Sequence, residues 1–425
     1  VFRVDVLFVH PQFPAQFGHI ASYLVDKSGC RVTFVSRSPP GVVAGIEKIQ
    51  YQLSGGATID THFCSRPFEN AIWHCDAVYK ALKGRPDLQP DLIIGHSGFG
   101  STLFLRELYP HVPVVNLFEY FYNPDSPDSD MNFRHDLDAT VEDSHRQRAR
   151  CRNAMTLLDL NHCTSAYTPT RFQHSLFPKE YDKKLQVVHS GVDRGIFHSD
   201  DDRSRPELPL VGMRQIAGIS FPTKTRIVTY ASRGFESIRG FDLFLRSAKL
   251  LLQRHPDVLF FIIGNDRAGA TDYENLGEHK TFKEWALAQE EYDLTKFVFT
   301  GQLRPPEMAE LFRATDLHIY LTVPYVLSGS VLEAMSCGAV VLGSDTAPVR
   351  EIIADGQNGM LVDFFDVEAI AAKAAQVLED PAEFRSMGRL AEQTIIENYS
   401  LEVVLPQLVN LYRESATAID RVSIE

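Results

Sequence analysis

The sequence predicts an α/β protein of two doubly wound, parallel-sheet domains, and three observations carry that prediction. Short β-branched or aromatic runs alternate with helical patterns along most of the chain, the mark of parallel sheets with helical crossovers. The alternation lapses once, between His198 and Pro222, into "HSDDDRSRPELPLVGMRQIAGISFP", rich in charge, Pro and Gly. The 425 residues amount to roughly two to three ordinary domains, and 44% hydrophobic with 11% aromatic residues is ample for their cores.

The elements follow in order. In the first series the strands are Val4–His10 ("VDVLFVH"), Arg31–Ser36, Asp91–His96, Pro113–Phe118, His162–Ala166 and Leu185–Ser190. Helices fall between most of them, including "FENAIWHCDAVYKALKG" and a long one from about Phe133 to Leu160. The second series has strands at Arg226–Ser232, Asp257–Gly264, Lys296–Gly301, Leu317–Thr322, Ala339–Ser344 and Gly359–Asp363, with Asp366 as N-cap of "VEAIAAKAAQVL". The expected division is therefore 1–197 as a first domain, 198–222 as linker, 223–399 as a second domain, and 400–425 as a C-terminal helix crossing back to the first domain. Two such domains imply a central cleft, and ligands of these sheets sit beyond the carboxyl ends of the strands.

Composition narrows the function. A formal net charge of -13 argues against a general nucleic-acid binder, since phosphate backbones demand an excess of Lys and Arg. The six cysteines show no C-x-x-C and no zinc-like spacing, and read as reduced thiols in a cytoplasmic protein. There is no apolar run of 18 residues, and the opening "VFRVDVLFVHPQF" alternates like a strand rather than a signal peptide. "SHRQRARCRN" clusters Arg146, Arg148, Arg150 and Arg152 after acidic Glu142 and Asp143, which reads as a solvated helix face while leaving peripheral membrane contact open.

Two post-strand segments carry chemistry. In "PYVLSGSVLEAMSCG" the turn Ser328-Gly329-Ser330 precedes a helix starting near Ser330. A helix N-terminus after Gly and Ser offers free N–H groups and a favourable dipole to an anion, here a diphosphate. Glu333, one turn in, is placed to accept from two ribose hydroxyls; the alternative is a simple cap with Glu333 satisfied locally. In "RGFESIRGF" Arg233 and Arg239 bracket the loop after Arg226–Ser232, where two guanidiniums can fork onto diphosphate oxygens. Pairing of an arginine with Glu236 or Asp242 is the competing reading.

With these residues in place, "ASRGFESIRGFDLFLRSAKLL", "FVFTGQLRPPEMAELFRATDLHIYLT", "SVLEAMSCGAVVLGSDTAPVREII" and "DGQNGMLVD" together resemble the donor domain of the family-4 retaining glycosyltransferases of the GT-B fold. "LFVHPQFPAQFGHIASYL" and "SAYTPTRFQHSLFP" are similar to the acceptor half of a bacterial branch of that family. The resemblance implies that Arg233 and Arg239 bind the donor diphosphate, Arg239 standing where the family usually has Lys. It implies that Glu333 is the second Glu of a Glu-x7-Glu motif and holds the ribose. The first Glu falls at Tyr325, so either this branch reads the sugar through the Tyr325 hydroxyl and backbone amides of Val326 to Ser330, with Val331 completing the donor set, or activity has been lost.

In the first half the family's glycine-rich loop corresponds to "HPQFPAQFGH", whose only glycine is Gly18, with Gln12 and Gln16 as substitute donors. The resemblance implies that His96 faces the transferred sugar; the alternative is that it caps "GFGSTLFLREL". Glu119, beside Tyr120 and Tyr122, is a candidate for positioning the acceptor hydroxyl, or else pairs with an arginine. The D-x-D Asp128–Asp130 sits in a Pro/Ser-rich stretch and reads as loop.

The implied activity is metal-independent transfer with retention, from a nucleoside diphosphate sugar (UDP favoured, GDP open) to a carbohydrate, lipid-linked or glycoconjugate hydroxyl, in the cytoplasm or at the inner membrane face. No cofactor beyond the co-substrate is implied. The alternatives are a non-catalytic nucleotide-sugar-binding partner of another transferase, or an epimerase or phosphorylase on the same scaffold. A dehydrogenase is disfavoured, because no G-x-G-x-x-G follows the first strand.

Overall fold

A computed structural model of the protein describes residues 4–39, 41–126, 129–134, 143–199, 212–216, 218–266 and 276–422. The chain divides into two compact units. The first comprises the chain up to Asp125, then Glu142–Gly191 and the segment from Leu401, and the second takes Ser126–Val141 and Val192–Ser400. The crossover therefore falls at Gly191/Val192 rather than at 197. Ser126 and residues 129–134, which sequence places in the first domain, belong to the second.

In the first unit β1 (Asp5–Val9), β2 (Arg31–Ser36), β3 (Ile46–Gln50), β4 (Leu92–His96), β5 (Val114–Leu117), β6 (Ser165–Thr168) and β7 (Leu185–Val187) make a parallel sheet in the order β3-β2-β1-β4-β5-β6-β7. Alternation along β1 divides the core: Val6 and Phe8 pack with Phe34 and Ile94 on one face, Leu7 and Val9 with Val35 and Ile93 on the other. The helix Leu401–Val422 covers the first face through Val404, Leu408 and Tyr412. Its Ser415 hydroxyl donates to Ser165 Oγ at 2.8 Å.

In the second unit β8 (Met213–Ile216) and β9 (Ile219–Pro222) form an antiparallel hairpin. β10 (Arg226–Gly234), β11 (Val258–Asn265), β12 (Phe297–Gly301), β13 (Leu317–Tyr320), β14 (Val341–Ser344) and β15 (Met360–Val362) form a parallel sheet ordered β12-β11-β10-β13-β14-β15. Along β11, Phe260 and Ile262 enter one core while Phe261 and Ile263 enter the other, so both faces are covered. Truncating one of these phenylalanines to alanine would cost about 3–5 kcal/mol. Asp366 caps the helix Val367–Glu379, accepting from Ala369 N at 2.8 Å.

Several expectations are corrected. The strand expected at His162–Ala166 runs from Ser165 to Thr168, because the preceding helix continues to His162. That helix begins among the described residues at Asp143, and Asp130–Phe133 is a separate short turn. The end of the expected 198–222 linker, from Met213, is the β8–β9 hairpin, pinned where Phe221 meets Phe261 at 5.9 Å between centroids. β3 was not foreseen, since it is an edge strand with a polar, half-exposed sequence, "IEKIQ". The arginine run is not simply solvated: Arg146 donates to Pro124 O at 2.6 Å, Arg150 pairs with Asp125 at 2.6 Å, and Arg152 donates to the Tyr122 hydroxyl at 3.2 Å. Among the described residues no helix is long and apolar enough to cross a membrane.

Candidate functional site

Both sheets follow the order in which neighbouring strands lead their crossovers in opposite directions, opening a crevice beyond the carboxyl ends of the central pair. That pair is β1 and β4 in the first unit, and β10 and β13 in the second.

In the second unit the β10 end carries Arg233, exposed and, among the described residues, without a partner for its guanidinium. The chain then makes a short turn, Ser237–Arg239, and reverses at Gly240 into the helix Phe241–Arg254. Gly240 has φ 60°, and a Cβ there would lie 2.9 Å from Leu321 Cβ and 3.1 Å from the Phe364 ring. Gly240→Ala is expected to destabilise by at least about 2 kcal/mol, from the left-handed backbone and the clash together, read as a lower denaturant midpoint.

Arg239 is half-buried and held from both ends. Its carbonyl accepts from the Tyr230 hydroxyl at 2.9 Å, and Nη1 donates to Thr322 Oγ1 at 2.8 Å and Tyr320 OH at 3.4 Å. Its guanidinium carbon lies 5.5 Å from the Tyr325 ring centroid. Every contact is with a neutral group, and among the described residues no carboxylate pairs with it. Asp242, one of the alternatives the sequence offered, is taken by Arg134.

Beyond β13 the helix Gly329–Ser336 starts one residue before expectation, with Ser328 as N-cap accepting from Ser330 N at 3.4 Å. Ser328 N donates to Tyr320 OH at 2.8 Å, and Ser330 Oγ donates to Ala231 O at 3.3 Å, tying the helix start to the end of β10. The Val331 side chain is fully buried, so this residue offers only its backbone N–H. Glu333 is half-buried, its Oε1 close over Gly329, and no described residue bonds it. Burial alone pushes its carboxyl up to about 7. A carboxylate kept at that cost without a protein partner suits a ligand's hydroxyl groups.

In the first unit, His10 follows β1 and His96 ends β4, their rings perpendicular with centroids 5.3 Å apart. Burial, and then the neighbouring His96, lowers His10 to about 4, so it is neutral at pH 7. His96 is buried with neither ring nitrogen hydrogen-bonded, which excludes the capping role. Its Nε2 stands 3.6 Å from Glu119 Oε2, and Glu119 is half-exposed. Asp159 accepts from Ser97 Oγ at 2.9 Å and Gly98 N at 3.3 Å, fixing the loop after His96. Burial raises its carboxyl to about 6, so its ionisation costs stability as pH rises through that value. Asp159→Asn keeps an acceptor and removes the charge. Its stability relative to wild type is therefore expected to improve between pH 5 and pH 7, measured by thermal unfolding.

The expected phosphate loop is less persuasive. Gln12 is exposed and its N–H lies 3.0 Å from His10 Nδ1. Gln16 lines a small cavity with Phe17, His19 and Tyr167. Gly18 has ordinary helical backbone, φ -56°, so the loop is not a glycine cradle. Asp128 of the D-x-D lies outside the described residues. Sequence reasoning missed Asp159, Thr322 and Tyr230, all buried on elements that read as core.

The family described as Glycosyl transferase family 4 group matches residues 28–197, and that described as Glycosyl transferases group 1 matches 214–394. D-inositol 3-phosphate glycosyltransferase of Corynebacterium urealyticum is 26% identical over 235 residues, 55% of this chain and 52% of that protein. Alpha-maltose-1-phosphate synthase of Mycolicibacterium smegmatis is 29% identical over 244 residues, 56% and 59% of the two. The chain thus spans about half the length of the curated relatives it matches. Sucrose-phosphate synthase from Thermosynechococcus elongatus superposes with a TM-score of 0.73 at 17% identity, covering 97% of this chain and 99% of that one. Anabaena HepE in complex with UDP-glucose gives 0.64 at 15%, covering 96% and 99%.

Proposed function

The chain belongs to the family-4-type glycosyltransferases of the GT-B fold, and on that premise we propose that it transfers a sugar, with retention and without a metal ion, from a nucleoside diphosphate sugar to an acceptor hydroxyl. The carrying observation is the convergence, beyond β10 and β13, of Arg233, Arg239, the Ser328-capped helix start and a half-buried, unbonded Glu333. Both arginines lack a carboxylate among the described residues, which suits a diphosphate. The UDP-glucose bound to a neighbour of the same fold favours UDP over GDP as the donor base.

In the reaction the bond from the anomeric carbon to the diphosphate oxygen breaks and a bond to the acceptor oxygen forms on the same face. The acceptor proton passes to the leaving phosphate. Arg233, Arg239 and the first-turn N–H groups meet the charge that develops on the diphosphate, the electrostatic contribution that usually dominates such catalysis. That provision is why no divalent cation is needed. His96 and Glu119 stand at the carboxyl ends of β4 and β5 in the first unit, and the resemblance gives them the transferred sugar and the acceptor hydroxyl respectively. The acceptor is a carbohydrate, lipid-linked sugar or glycoconjugate.

The test is incubation with UDP- and GDP-sugars and a panel of glycan and lipid-linked acceptors, with EDTA present, reading the product's anomeric configuration by NMR. Acceptor-dependent product of retained configuration supports the proposal. Phosphate-dependent product or epimerised donor identifies one of the same-scaffold rivals. Tight donor binding without turnover identifies a non-catalytic binder, the reading that Tyr325 motivates.

A further inference from the structure

Thirty residues before the long first-unit helix ends, the chain contributes a short piece to the second unit. Ser129 caps the turn Asp130–Phe133, accepting from Asn132 N at 3.3 Å, and the Asn132 side chain donates to Ser126 O at 2.7 Å. The turn delivers one side chain, Phe133, to the residues after β15 and another, Arg134, to the helix that follows Arg239. Phe133 packs on Phe365 at 5.3 Å and on Phe364 at 5.6 Å between centroids. Arg134 places its guanidinium 5.5 Å from the Phe364 ring centroid and forks onto Asp242, Nη1 to Oδ1 at 3.0 Å and Nη2 to Oδ2 at 2.7 Å. Nη1 also donates to Ser237 O at 2.5 Å.

The ion pair is buried, with side-chain exposures of 5% for Arg134 and 9% for Asp242. Stability alone is a weak reason for such a pair, because desolvating two charges roughly cancels their attraction and an apolar replacement often serves as well. Its geometry has a more specific consequence. Ser237 opens the turn that ends in Arg239, and Asp242 is the only carboxylate in the first turn of the following helix, three residues beyond Arg239. The buried Tyr230 hydroxyl, which holds the Arg239 carbonyl, feels the charges of Arg239, Glu236 and Asp242 together. Without a fork on Asp242, that carboxylate would be an uncompensated anion three residues along the chain from the arginine meant for a diphosphate.

We propose that Arg134 is a positioning residue for the donor site: it occupies both oxygens of Asp242 and the carbonyl of Ser237, and so keeps Arg239 unpaired and aimed for a ligand diphosphate. Phe364 completes the brace, since it packs against Arg134 and abuts Gly240, where the chain reverses after Arg239. The inference rests on the donor-site reading given above and adds to it a residue that never touches the ligand.

The test measures the dissociation constant for whichever of UDP, GDP and ADP the wild-type protein binds most tightly, with melting temperatures recorded alongside. Arg134→Met is expected to weaken binding by about tenfold or more, and adding Asp242→Asn to recover most of that loss, because the stray carboxylate is gone. In an Arg239→Ala background the Arg134→Met change is expected to cost less than about twofold, since the arginine it serves is absent. Arg134→Lys keeps a charge on Asp242 and guards against misfolding; its affinity should fall between those of wild type and Arg134→Met. An Arg134→Met protein with wild-type affinity would overturn the proposal, and so would an equal loss with and without Arg239, which marks a merely structural role. If the wild-type protein binds none of the three nucleotides, the donor-site reading itself fails; if it binds and only the Arg134 variants are indifferent, that reading stands and this inference falls.

Discussion

Arg239→Ala is expected to lower kcat/KM for the nucleoside diphosphate sugar by roughly 30- to 1000-fold, about 2–4 kcal/mol of transition-state stabilisation, by analogy with a lost oxyanion donor. The loss should fall mainly on kcat, because charge on the diphosphate grows as its bond to the sugar breaks. Arg239 is preorganised for that moment by Thr322, Tyr320 and the Tyr230 hydroxyl, so it needs little rearrangement in the transition state. Arg233 is exposed and unanchored among the described residues. Arg233→Ala should therefore cost less than Arg239→Ala, and steady-state kinetics of the two variants side by side checks the ranking.

The second large effect is a pH dependence that belongs to Glu333. Its carboxyl stands at about 7 in the unliganded protein, raised from 4.5 by burial. Two ribose hydroxyls donating to the carboxylate would favour its charged form, so binding below pH 7 must expel a proton. Nucleoside diphosphate affinity should therefore rise with pH and level off above about 7, by up to roughly 30-fold between pH 5.5 and pH 7.5. The diphosphate titrates in the same range, so the diagnostic quantity is the difference between wild type and Glu333→Gln, measured by calorimetric titration.

Stability supplies the opposite sign in the same protein. A carboxyl raised on folding contributes its stability below the unfolded value of 4.5 and loses it as pH rises through about 7. Glu333→Gln should melt like wild type near pH 4.5 and above it at pH 8, by no more than about 3 kcal/mol. The variant thus becomes more stable and a poorer binder over one pH range. Ordinary destabilisation cannot produce that combination.

What the sequence makes legible follows from burial. β1, β2, β10 and β11 stand out because strands covered on both faces must be continuously apolar, and the two cores claim every residue of Phe260–Ile263. β3 and the β8–β9 hairpin are hidden because an edge strand or small hairpin keeps a polar face, leaving "IEKIQ" and "MRQI" without a clean signal. Arg233, Arg239, Ser328 and Glu333 can be picked out since each lies at or beyond the carboxyl end of a strand, where this topology puts ligands.

Their supports cannot be picked out that way. Tyr230 and Tyr320 are strand residues whose rings fill the core while their hydroxyls emerge at its edge. Asp159 lies deep in a helix and acts on a loop 62 residues away. Arg134 meets Asp242 across 108 residues of chain. Local spacing carries no trace of pairings at such separations, and a charged residue in a Pro- and Asp-rich stretch reads as solvated until the fold buries it.

The most direct measurement is a crystal structure of the protein with the nucleoside diphosphate it binds best. The diphosphate is expected against Arg239 and the first-turn N–H groups of Gly329–Ser336, with the ribose hydroxyls on Glu333. A nucleotide seated elsewhere, or one held at this place with Arg239 turned away and Glu333 unbonded, would contradict the proposed donor site.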